Sequence, residues 1–551
     1  MKKPLLRVQN LSVCVKDKKD NDHKIVDNIT FDINPGKVIA LIGESGSGKT
    51  TISLSCMGYA RPGCFITDGL VELGDENVLN KSLKELQTLR GKEITYVAQS
   101  AAASFNGAMT INSQVTEIPI ITKSMSRDEA LKKAEKLYKA LELPNPSSIG
   151  SRYPHQVSGG QLQRLMAAMA MISDPKLLIL DEPTTALDVT TQIEVLHSFK
   201  KLIKENNTAA IYVTHDLSLV AQIADHILVL KDGKQIEYGT TDQIINNPKE
   251  DYTKALIDAA HVMPDEINSP LLNVLKAPPL LEVKDVTAGY GKNQEIIAVE
   301  DINLVIEPGE TVGVIGESGS GKTTLGRLIS GLMAPTTGEI FLSGQLLKNS
   351  VSRRSRHELR DIQFAFQMAD VALNPRQKIG KILGRPMQFY RNISNKEMEY
   401  EVEKLLARVE LPIEFFRRFP TELSGGQRQR INLARALAAK PKLIICDEIT
   451  SALDTIVAQQ ILDLLGSLQD ELGLSYLFIT HNIATVAQIS KKIAVMRSGQ
   501  IIQQGYVEEV LTPPCHEYTQ LLLNSVPEMR TDWLDAAVIE RRDLLKKLNL
   551  K

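Results

Sequence analysis

The decapeptide IGESGSGKTT occupies residues 42–51 and returns unchanged at residues 315–324. Each copy follows a short apolar run and contains the pattern G-x4-G-K-T. Glycines at this spacing let backbone N–H groups wrap closely around phosphate oxygens, while the lysine reaches the outer phosphates and the threonine hydroxyl binds Mg²⁺. A single match could be an ordinary strand-to-helix turn with a surface lysine. Two matches in the same context predict two phosphate-binding loops, here called P-loops, each serving one nucleotide.

The P-loop residues predicted to bind nucleotide are Gly43, Ser45, Gly46, Gly48, Lys49, Thr50 and Thr51 in the first copy, and Gly316, Ser318, Gly319, Gly321, Lys322, Thr323 and Thr324 in the second. Thr50 and Thr323 are also predicted to bind the metal ion.

An acidic pair ends an apolar run in each copy. Asp181-Glu182 follows KLLIL, and Asp447-Glu448 follows KLIIC. At the carboxyl edge of a parallel sheet, beside a P-loop, an aspartate can hold Mg²⁺ and the adjacent glutamate can polarise an attacking water. A solvated acidic pair at a strand end is common in isolation, but both copies place the pair at a comparable distance after the P-loop lysine. We therefore predict metal-binding aspartates and catalytic glutamates.

The sequence SGGQ precedes a helix-forming run in both copies. It comprises Ser158, Gly159, Gly160 and Gln161 in the first copy and Ser424, Gly425, Gly426 and Gln427 in the second. A serine in front of such a run caps the helix N-terminus, which is a second device for binding an anion. One nucleotide needs only one phosphate cradle, so a second cradle suggests that each copy also grips the nucleotide of the other.

The elements that must position these residues alternate between strands and helices. Alternating strands, Pro-Gly turns and short fully apolar runs predict an α/β core in each copy, with a mainly parallel sheet. We place the first domain at residues 1–260 and the second at 280–551, with its C-terminal tail. Residues 261–279 carry four prolines and no lasting helical period, so we interpret them as a linker.

Composition excludes several classes of protein. The net charge of −2 provides no global basic field for a nucleic-acid partner, and we expect none. The five cysteines are scattered and never spaced as CxxC, which argues against a disulfide framework or a zinc site and fits a reducing cytosol. The N-terminus does not resemble a signal peptide, and no run approaches the length of a membrane-spanning helix.

The order of P-loop, glutamine, SGGQ, apolar-DE, ALD and histidine resembles the ATP-binding cassette (ABC) ATPase family. The resemblance covers nearly all of both copies. It implies two tandem ABC-type domains, each with a parallel core sheet, an antiparallel part and a helical subdomain carrying SGGQ. It also implies a head-to-tail pairing with two ATP molecules and Mg²⁺ between the cassettes. Site one would combine Lys49, Asp181, Glu182 and His215 with residues 424–427, and site two would combine Lys322, Asp447, Glu448 and His481 with residues 158–161.

The remaining family positions are carried over by resemblance. Gln99 and Gln367 resemble the glutamine that touches Mg²⁺ or water and faces the membrane partner. His215 and His481 resemble the histidine that contacts the γ-phosphate. Asp188 and Asp454, in the two ALD stretches, resemble residues of loops that cross between the cassettes.

The two copies differ at the position where the family stacks an aromatic ring on adenine. Tyr290 matches that position, but the aligned residue of the first copy is Val15. We therefore expect weaker or differently supported adenine binding at site one. The first copy has Pro183 where the second has Ile449, a difference without clear functional meaning. Both catalytic glutamates are present, so the sequence predicts two working but unequal sites.

Three classes of ABC protein compete: an importer motor with separate permeases, a soluble twin cassette acting on ribosomes or DNA, and a non-catalytic nucleotide sensor. Complete lysine and glutamate sets disfavour the sensor, and the short linker and scattered cysteines disfavour the twin cassette. RYPHQVSGGQ, RFPTELSGGQRQR and the tails NNPKEDYTKALIDA and TPPCHEYTQLLLNSVPE resemble the dipeptide, oligopeptide and nickel importer ATPases.

That resemblance implies a peripheral subunit at the cytoplasmic face of the inner membrane, with two transmembrane permeases and a solute-binding protein as partners. The solute would be a peptide or peptide-like molecule, with nickel, metal complexes and opine-like solutes as alternatives, because nothing in the chain contacts the solute during transport. Some members of the group carry a cysteine cluster in the tail. Cys515 stands alone here, so no iron–sulfur cluster is expected.

Overall fold

The computed structural model describes residues 3–16, 21–184, 187–260, 278–291, 295–451 and 453–547. The chain divides into two compact units. Unit 1 comprises Met1–His261, Asp454–Ile456 and Pro527–Asp543, and unit 2 comprises Val262–Leu453, Val457–Val526 and Leu544–Lys551. Each unit holds the body of one sequence copy, but the sequence placed Asp454–Ile456 and Pro527–Asp543 in the second domain. The predicted linker, 261–279, lies outside the described residues except for its last two positions.

The strands of unit 1 are β1 (Leu6–Lys16), β2 (Asp22–Ile33), β3 (Val38–Ile42), β4 (Cys64–Leu73), β5 (Glu76–Asn77), β6 (Ile94–Val97), β7 (Leu177–Asp181), β8 (Ala209–Val213), β9 (His226–Lys231) and β10 (Lys234–Thr240). They form one sheet in the order β5-β4-β1-β2-β10-β9-β3-β8-β7-β6. The core from β9 to β6 is parallel, β10 pairs antiparallel with β9, and β1, β2, β4 and β5 form an antiparallel part.

The helices of unit 1 are α1 (Lys49–Ser55), α2 (Leu83–Leu89), α3 (Ala101–Ser104), α4 (Ile111–Val115), α5 (Glu117–Ile121), α6 (Arg127–Ala140), α7 (Pro146–Ile149), α8 (Gly159–Met171), α9 (Val189–Glu205), α10 (Leu217–Ile223), α11 (Thr241–Asn246) and α12 (Asp251–Ala260). Helices α3 to α8 all lie between β6 and β7 in the chain and form the predicted helical subdomain, with SGGQ at the start of α8.

The strands of unit 2 are β11 (Leu281–Tyr290), β12 (Ile296–Ile306), β13 (Thr311–Ile315), β14 (Thr337–Leu342), β15 (Gln345–Leu346), β16 (Ile362–Ala365), β17 (Leu443–Asp447), β18 (Ser475–Ile479), β19 (Lys492–Arg497) and β20 (Gln500–Tyr506). They form an antiparallel sheet, β12-β11-β14-β15, and a mainly parallel sheet, β16-β17-β18-β13-β19-β20. The predicted α/β fold class, with parallel core and antiparallel part, is confirmed.

The helices of unit 2 are α13 (Lys322–Ser330), α14 (Arg356–Asp361), α15 (Ala369–Ala372), α16 (Ile379–Arg391), α17 (Asn395–Arg408), α18 (Gly425–Leu437), α19 (Thr455–Leu472), α20 (Ile483–Ile489), α21 (Val507–Leu511) and α22 (Glu517–Leu523). The first residues of α19 fall in the segment assigned to unit 1. The last helix, α23 (Trp533–Lys547), lies mostly in unit 1.

The apolar runs of the parallel strands are explained by burial on both faces of the sheet. In β3, Val38, Ala40 and Ile42 pack into one apolar cluster. The alternate residues, Ile39 and Leu41, pack into another cluster on the opposite face. Because side chains alternate along a strand, both sets must be apolar, and each fully buried Val, Leu or Ile contributes about 1.5–3 kcal/mol. This double burial fixes the strand ends at which the P-loop and the acidic pair begin.

Among the described residues, no helix combines the length and the apolar character required to span a membrane.

Candidate functional site

The P-loop of each unit connects the central strand to the following helix, β3 to α1 in unit 1 and β13 to α13 in unit 2. Its first glycine has no room for a side chain. At Gly43 (φ +147°) an added Cβ would lie 2.0 Å from the Leu230 carbonyl oxygen, and at Gly316 (φ +153°) it would lie 2.2 Å from the Met496 oxygen. A residue other than glycine would therefore displace the loop. At Gly46 and Gly319 nothing lies within 4 Å of the added Cβ, so the loop has an open side.

The P-loop lysines are buried and folded against their own loops. Lys49 Nζ donates to the carbonyl oxygens of Gly43 (2.7 Å) and Glu44 (2.8 Å). Lys322 makes the same bonds to Gly316 (2.7 Å) and Glu317 (2.8 Å). Burial lowers the pKa of Lys49, although nearby carboxylates, Glu182 first among them, oppose the shift. The carbonyl contacts hold a cation at the centre of each loop, where it can neutralise phosphate oxygens.

A buried serine hydroxyl in each P-loop lacks a hydrogen-bond partner within the described chain. Ser47 is 3% exposed and Ser320 is 4% exposed, and neither Oγ is paired. A buried hydroxyl without a hydrogen-bond partner costs free energy, and a ligand that accepts its hydrogen bond removes that cost. Together with the lysine and the glycine cradle, this hydroxyl fits a bound phosphate. The sequence analysis named the neighbours Ser45 and Ser318 but missed these two, although they occupy the same place in both copies.

The predicted metal ligands are brought together in both units. The Thr50 hydroxyl donates to Asp181 Oδ1 and the Thr323 hydroxyl to Asp447 Oδ1, each at 3.1 Å. A hydroxyl beside a carboxylate, open to phosphate oxygens and water, is the donor set that Mg²⁺ takes in nucleotide sites. No group of three or more His, Cys, Asp and Glu side chains able to cage a metal occurs in the described ranges.

The two aspartates differ in one partner that the sequence analysis missed. Tyr96 Oη donates to Asp181 Oδ2 at 2.6 Å. The corresponding strand position in unit 2 is Phe364, which has no hydroxyl. Burial raises the pKa of Asp181, and the Tyr96 and Thr50 bonds counteract it. Burial raises the pKa of Asp447 to about 6, opposed by the bond from Thr323.

Each glutamate that the sequence predicts to be catalytic is held by the predicted glutamine and histidine. Gln99 Nε2 donates to Glu182 Oε2 at 2.8 Å, and His215 Nδ1 lies 3.3 Å from Glu182 Oε1. Burial lowers the pKa of His215, but its bond to Glu182 and the charges of Glu182 and Asp216 together outweigh burial, so the net shift of the pKa is upward. Glu182 itself adopts a left-handed backbone conformation (φ +48°) in which non-glycine residues are uncommon. Backbone and side chain therefore both fix this carboxylate.

Unit 2 repeats this arrangement around Glu448 (φ +48°). Gln367 Nε2 donates at 2.8 Å, and His481 Nδ1 lies at 3.3 Å. Burial alone would raise the pKa of Glu448, but the hydrogen bond to His481 and the charges of His481 and Lys322 together outweigh burial, so the pKa is lowered. The glutamate is therefore ionised, as a general base requires. Gln99 and Gln367 thus bind the glutamates, and their predicted contact with Mg²⁺ or water stays a prediction.

The SGGQ residues form the predicted helix caps. Ser158 Oγ accepts from Gln161 N at 3.3 Å, and Gln161 Oε1 accepts from Ser158 N at 3.1 Å. Ser424 and Gln427 repeat these bonds at 3.3 and 3.0 Å. The second glycine is tightly packed: a Cβ at Gly160 would lie 2.1 Å from Thr191 Cγ2. The predicted partnership of the SGGQ residues with the other copy's nucleotide stays a prediction.

The two ALD aspartates lie at helix starts. Asp188 caps α9 and accepts from Thr191 N at 2.9 Å. Asp454 belongs to a segment, Asp454–Ile456, that packs in unit 1. Within that unit the Thr455 hydroxyl donates to the His215 carbonyl oxygen at 3.0 Å. These contacts place the second ALD stretch beside the histidine that holds Glu182.

The aromatic position differs between the units as the sequence indicates. Tyr290 ends β11, is 42% exposed, and shares a hydrogen bond of 3.0 Å with the Thr324 hydroxyl of the P-loop helix. An exposed ring beside the P-loop is free to stack on a base. Val15, near the end of β1, is half-buried and has no ring.

Each tail contributes a tyrosine that binds its P-loop. Tyr252 Oη in α12 accepts from the backbone N–H of Glu44 at 3.3 Å, and Tyr518 Oη in α22 accepts from that of Glu317 at 3.1 Å. The sequence analysis quoted both tails but missed these residues. The signal was the shared Tyr-Thr pair in EDYTKAL and HEYTQLL. Cys515, in the second tail, donates to Gln520 at 3.5 Å and belongs to no metal cluster of the described residues.

Comparison with known proteins agrees with this geometry. The family profile described as "ABC transporter" matches residues 26–185 and 299–451. The profile "Oligopeptide/dipeptide transporter, C-terminal region" matches residues 236–282 and 503–547. The "Glutathione import ATP-binding protein GsiA" of Escherichia coli (strain K12) is 37% identical over 565 residues, covering 95% of this chain and 89% of the relative. The protein of that name from Shigella dysenteriae serotype 1 (strain Sd197) gives the same values.

A solved structure titled "Dimeric Structure of MJ0796, a Bacterial ABC Transporter Cassette" is 32% identical and covers 41% of this chain and 98% of that chain, with a TM-score of 0.38. The family matches fall on the P-loop and acidic pair of each unit, and they cover more than half of the chain. The chain therefore belongs to the ABC transporter family and is an ATPase that binds ATP with Mg²⁺.

Proposed function

We propose that this chain is the ATP-hydrolysing subunit of a membrane importer for peptides or peptide-like solutes. The observation that carries the proposal is the pair of oligopeptide/dipeptide transporter C-terminal regions, one after each cassette. The relatives named for glutathione import support it, since glutathione is itself a peptide. The tails are joined to the catalytic machinery, because their tyrosines bind the P-loops.

The residues of each unit suit ATP hydrolysis. When bound, Mg·ATP supplies a phosphoanhydride bond whose cleavage releases free energy. The lysine and the buried serine of the P-loop bind the phosphates, and the threonine–aspartate pair holds the metal. The glutamate accepts a proton from water, while its glutamine and histidine hold the carboxylate in place. The same set in unit 2 makes both sites competent.

A groove of about 390 Å³ in unit 2 suits a permease partner. Its walls include Phe366, Phe389 and Tyr390, with Arg385 and Arg435 beside them. Phe366 and Phe389 are 39% and 47% exposed and line the same groove, and exposed apolar residues that lie together are typical of protein interaction sites. Phe366 immediately precedes Gln367, which binds the catalytic glutamate. A short apolar helix bound in this groove would thus contact Phe366, the neighbour in sequence of the glutamine that binds Glu448.

We propose two transmembrane permeases as the partners, with the chain attached peripherally at the cytoplasmic face of the membrane. An extracytoplasmic solute-binding protein would choose the solute, and nucleic acid has no part. Nickel, metal complexes and opine-like solutes are alternative cargoes, and a twin cassette acting on ribosomes or DNA is the alternative class.

The test is affinity purification of the chain from detergent-solubilised native membranes, with mass spectrometry of its partners. Two multi-spanning permeases and a solute-binding protein are expected. Phe389→Asp should abolish co-purification of the permeases, while the ATPase activity of the isolated chain should persist. Tyr400→Asp is the matched control, because Tyr400 is an exposed tyrosine (58%) outside the groove. The co-purified binding protein is then titrated with di- and tripeptides, glutathione and Ni²⁺. Ribosomal or DNA-repair proteins without a permease would refute the importer.

A further inference from the structure

The C-terminal segment, Pro527–Asp543, follows the second cassette in sequence but belongs to unit 1. Its helix α23 begins with Trp533, the single tryptophan of the chain. Trp533, Leu534 and Ala537 are at most 4% exposed and pack into the apolar cluster of unit 1 that contains residues of α8, α9 and α10. The apolar residues of the segment thus belong to the core of unit 1, which also contains residues of the helices that follow SGGQ, the first ALD stretch and His215.

A buried glutamine fastens this segment to α10. Gln222 is 2% exposed. Its Nε2 donates to the carbonyl oxygens of Glu528 (2.7 Å) and Arg530 (2.8 Å), and its Oε1 accepts from Leu534 N at 3.0 Å. One side chain therefore satisfies three backbone groups of the segment. Helix α10 begins directly after His215 and Asp216, so the bonds are anchored about two turns from the histidine that holds Glu182.

A buried arginine fastens the segment to α9. Arg541 is 8% exposed and donates to the carbonyl oxygen of Thr190 and, at 2.8 Å, to Glu194. Thr190 lies in the first turn of α9, two residues after the capping residue Asp188. Glu194 also pairs with Arg164 of the SGGQ helix α8, at 3.5 Å. The arginine therefore touches the start of α9 directly and α8 through one carboxylate.

The second cassette differs from the first at two of the positions that hold the segment. The copies are colinear with an offset of 266 from SGGQ to the histidine, since 424 − 158 and 481 − 215 both give 266. At the positions of Gln222 and Glu194 the second copy has Gln488, which is exposed, and the uncharged Gln460. The segment therefore distinguishes the first cassette from the second.

Covering an apolar surface would require only Trp533, Leu534 and Ala537. Burying a glutamine and an arginine costs free energy that is recovered only when their partners are correctly placed. Such groups determine the relative positions of the elements that they join more than they add stability. Gln222 and Arg541 do so on α10, which follows His215, and on α9, which follows Asp188.

We propose that the C-terminal segment is a positioning element of the first nucleotide site, acting through Gln222 and Arg541. It holds the starts of α9 and α10, next to Asp188 and His215, in the arrangement that binds nucleotide at the first site. This inference rests on the proposed ATP-hydrolysing function.

Trp533 reports whether the segment is docked. In the full chain its emission should be blue-shifted and poorly quenched by acrylamide, because the indole is buried. Gln222→Ala should shift the emission to the red and increase quenching. Leu534→Asp, which places a carboxylate in the core, is the second undocking variant, and a thermal melt shows that the cassettes remain folded. Gln488→Ala, the colinear position of the second copy, should leave Trp533 unchanged.

Nucleotide affinity is then measured by calorimetry with Mg·ATP in two backgrounds. Lys322→Ala leaves the first site and Lys49→Ala leaves the second. Undocking should weaken the first site roughly tenfold, by analogy with the loss of residues that support metal ligands. It should weaken the second site less, because the segment reaches the SGGQ helix α8 only through Glu194. Arg541→Lys, which keeps a donor and the charge, should weaken it less than Arg541→Ala.

Equal weakening of both sites, or an undocked Trp533 with normal affinity at the first site, would overturn the proposal. The proposed function is tested separately, before the segment is altered. If neither the unmodified chain nor the two background variants bind Mg·ATP, the ATP-hydrolysing function itself is refuted.

Discussion

Tyr252 Oη accepts a hydrogen bond from the backbone N–H of Glu44 at 3.3 Å, and Tyr518 Oη makes the same bond with Glu317 at 3.1 Å. Each tyrosine also lies under a cation, Lys231 at 4.6 Å and Arg497 at 5.1 Å from the ring centre. The tail helix of each cassette is thereby tied to the second residue of its P-loop.

Tyr252→Phe and Tyr518→Phe should each weaken nucleotide binding at their own site. Removing the hydroxyl leaves the P-loop N–H without this acceptor, at a cost of about 1 kcal/mol, so the affinity should fall several-fold. Calorimetry with Mg·ATP in the Lys322→Ala and Lys49→Ala backgrounds separates the sites. Tyr238→Phe, a partly exposed tyrosine of β10, is the control. An unchanged affinity would show that the tails only cover the cassettes.

Ser47→Ala and Ser320→Ala should have opposite effects on the free and the liganded protein. Each hydroxyl is buried without a partner, so its removal should leave the nucleotide-free protein as stable or up to about 1 kcal/mol more stable. The same change should weaken Mg·ATP binding, because a phosphate ligand is lost. Thermal melts with and without Mg·ATP measure both effects. Ser45→Ala, at an exposed position, should not stabilise the free protein; destabilisation by Ser47→Ala would contradict the assignment.

The fold and most residues of the candidate site could be predicted from the sequence, because the site residues recur at regular positions relative to apolar strands. Lys49, Asp181 and Glu182 follow fully buried strands, and parallel strands bring their carboxyl ends to one edge. Gln99 was found by resemblance, but its bond to Glu182 depends on how the loop after β6 lies against β7. That contact spans 83 residues and leaves no local pattern.

The missed residues act through long-range contacts. Gln222 meets Glu528 across 306 positions, and a glutamine in an amphipathic helix is ordinarily taken for a solvent-facing residue. Tyr96 sits in a strand pattern that any aromatic residue would satisfy. The C-terminal segment was assigned to the second domain because chain order is the default guide, while its buried apolar residues pack in unit 1.

Tyr96→Phe should raise the Mg²⁺ concentration that the first site requires. The Tyr96 bond favours the ionised form of Asp181, which burial disfavours. Without it, protons should compete better with Mg²⁺, and half-saturation should move up several-fold at slightly acid pH. Mg²⁺ titration of ATP binding in the Lys322→Ala background measures this. The reciprocal change, Phe364→Tyr, should lower the requirement of the second site, and a shift in the same direction for both variants would contradict the argument.

Asp447→Asn should stabilise the nucleotide-free protein at neutral pH. Burial raises the pKa of this carboxyl from 3.8 to about 6. Between these values the folded state binds more protons than the unfolded state, so stability falls as the pH rises through this window. The amide avoids this loss, which is at most about 3 kcal/mol. Denaturant unfolding without Mg²⁺ should show a stabilised variant above about pH 6 and no difference below about pH 4. A variant less stable at every pH would show that the ionised carboxylate has native partners that compensate for its burial.

Tyr290→Ala should weaken ATP binding at the second site far more than Val15→Ala weakens it at the first. Tyr290 presents an exposed ring beside the P-loop helix, and base–aromatic stacking contributes about 1–3 kcal/mol, which corresponds to roughly tenfold or more in affinity. The hydrogen bond to Thr324 is a separate contribution, so Tyr290→Phe, which retains the ring, should keep most of the affinity. ATP and inorganic triphosphate are compared in the Lys49→Ala background. Loss of the ring should reduce ATP affinity without changing triphosphate affinity, because stacking acts on the base alone. Equal losses for both ligands would show that Tyr290 supports the P-loop and does not bind adenine, and the expected inequality of the two sites would then lose its basis.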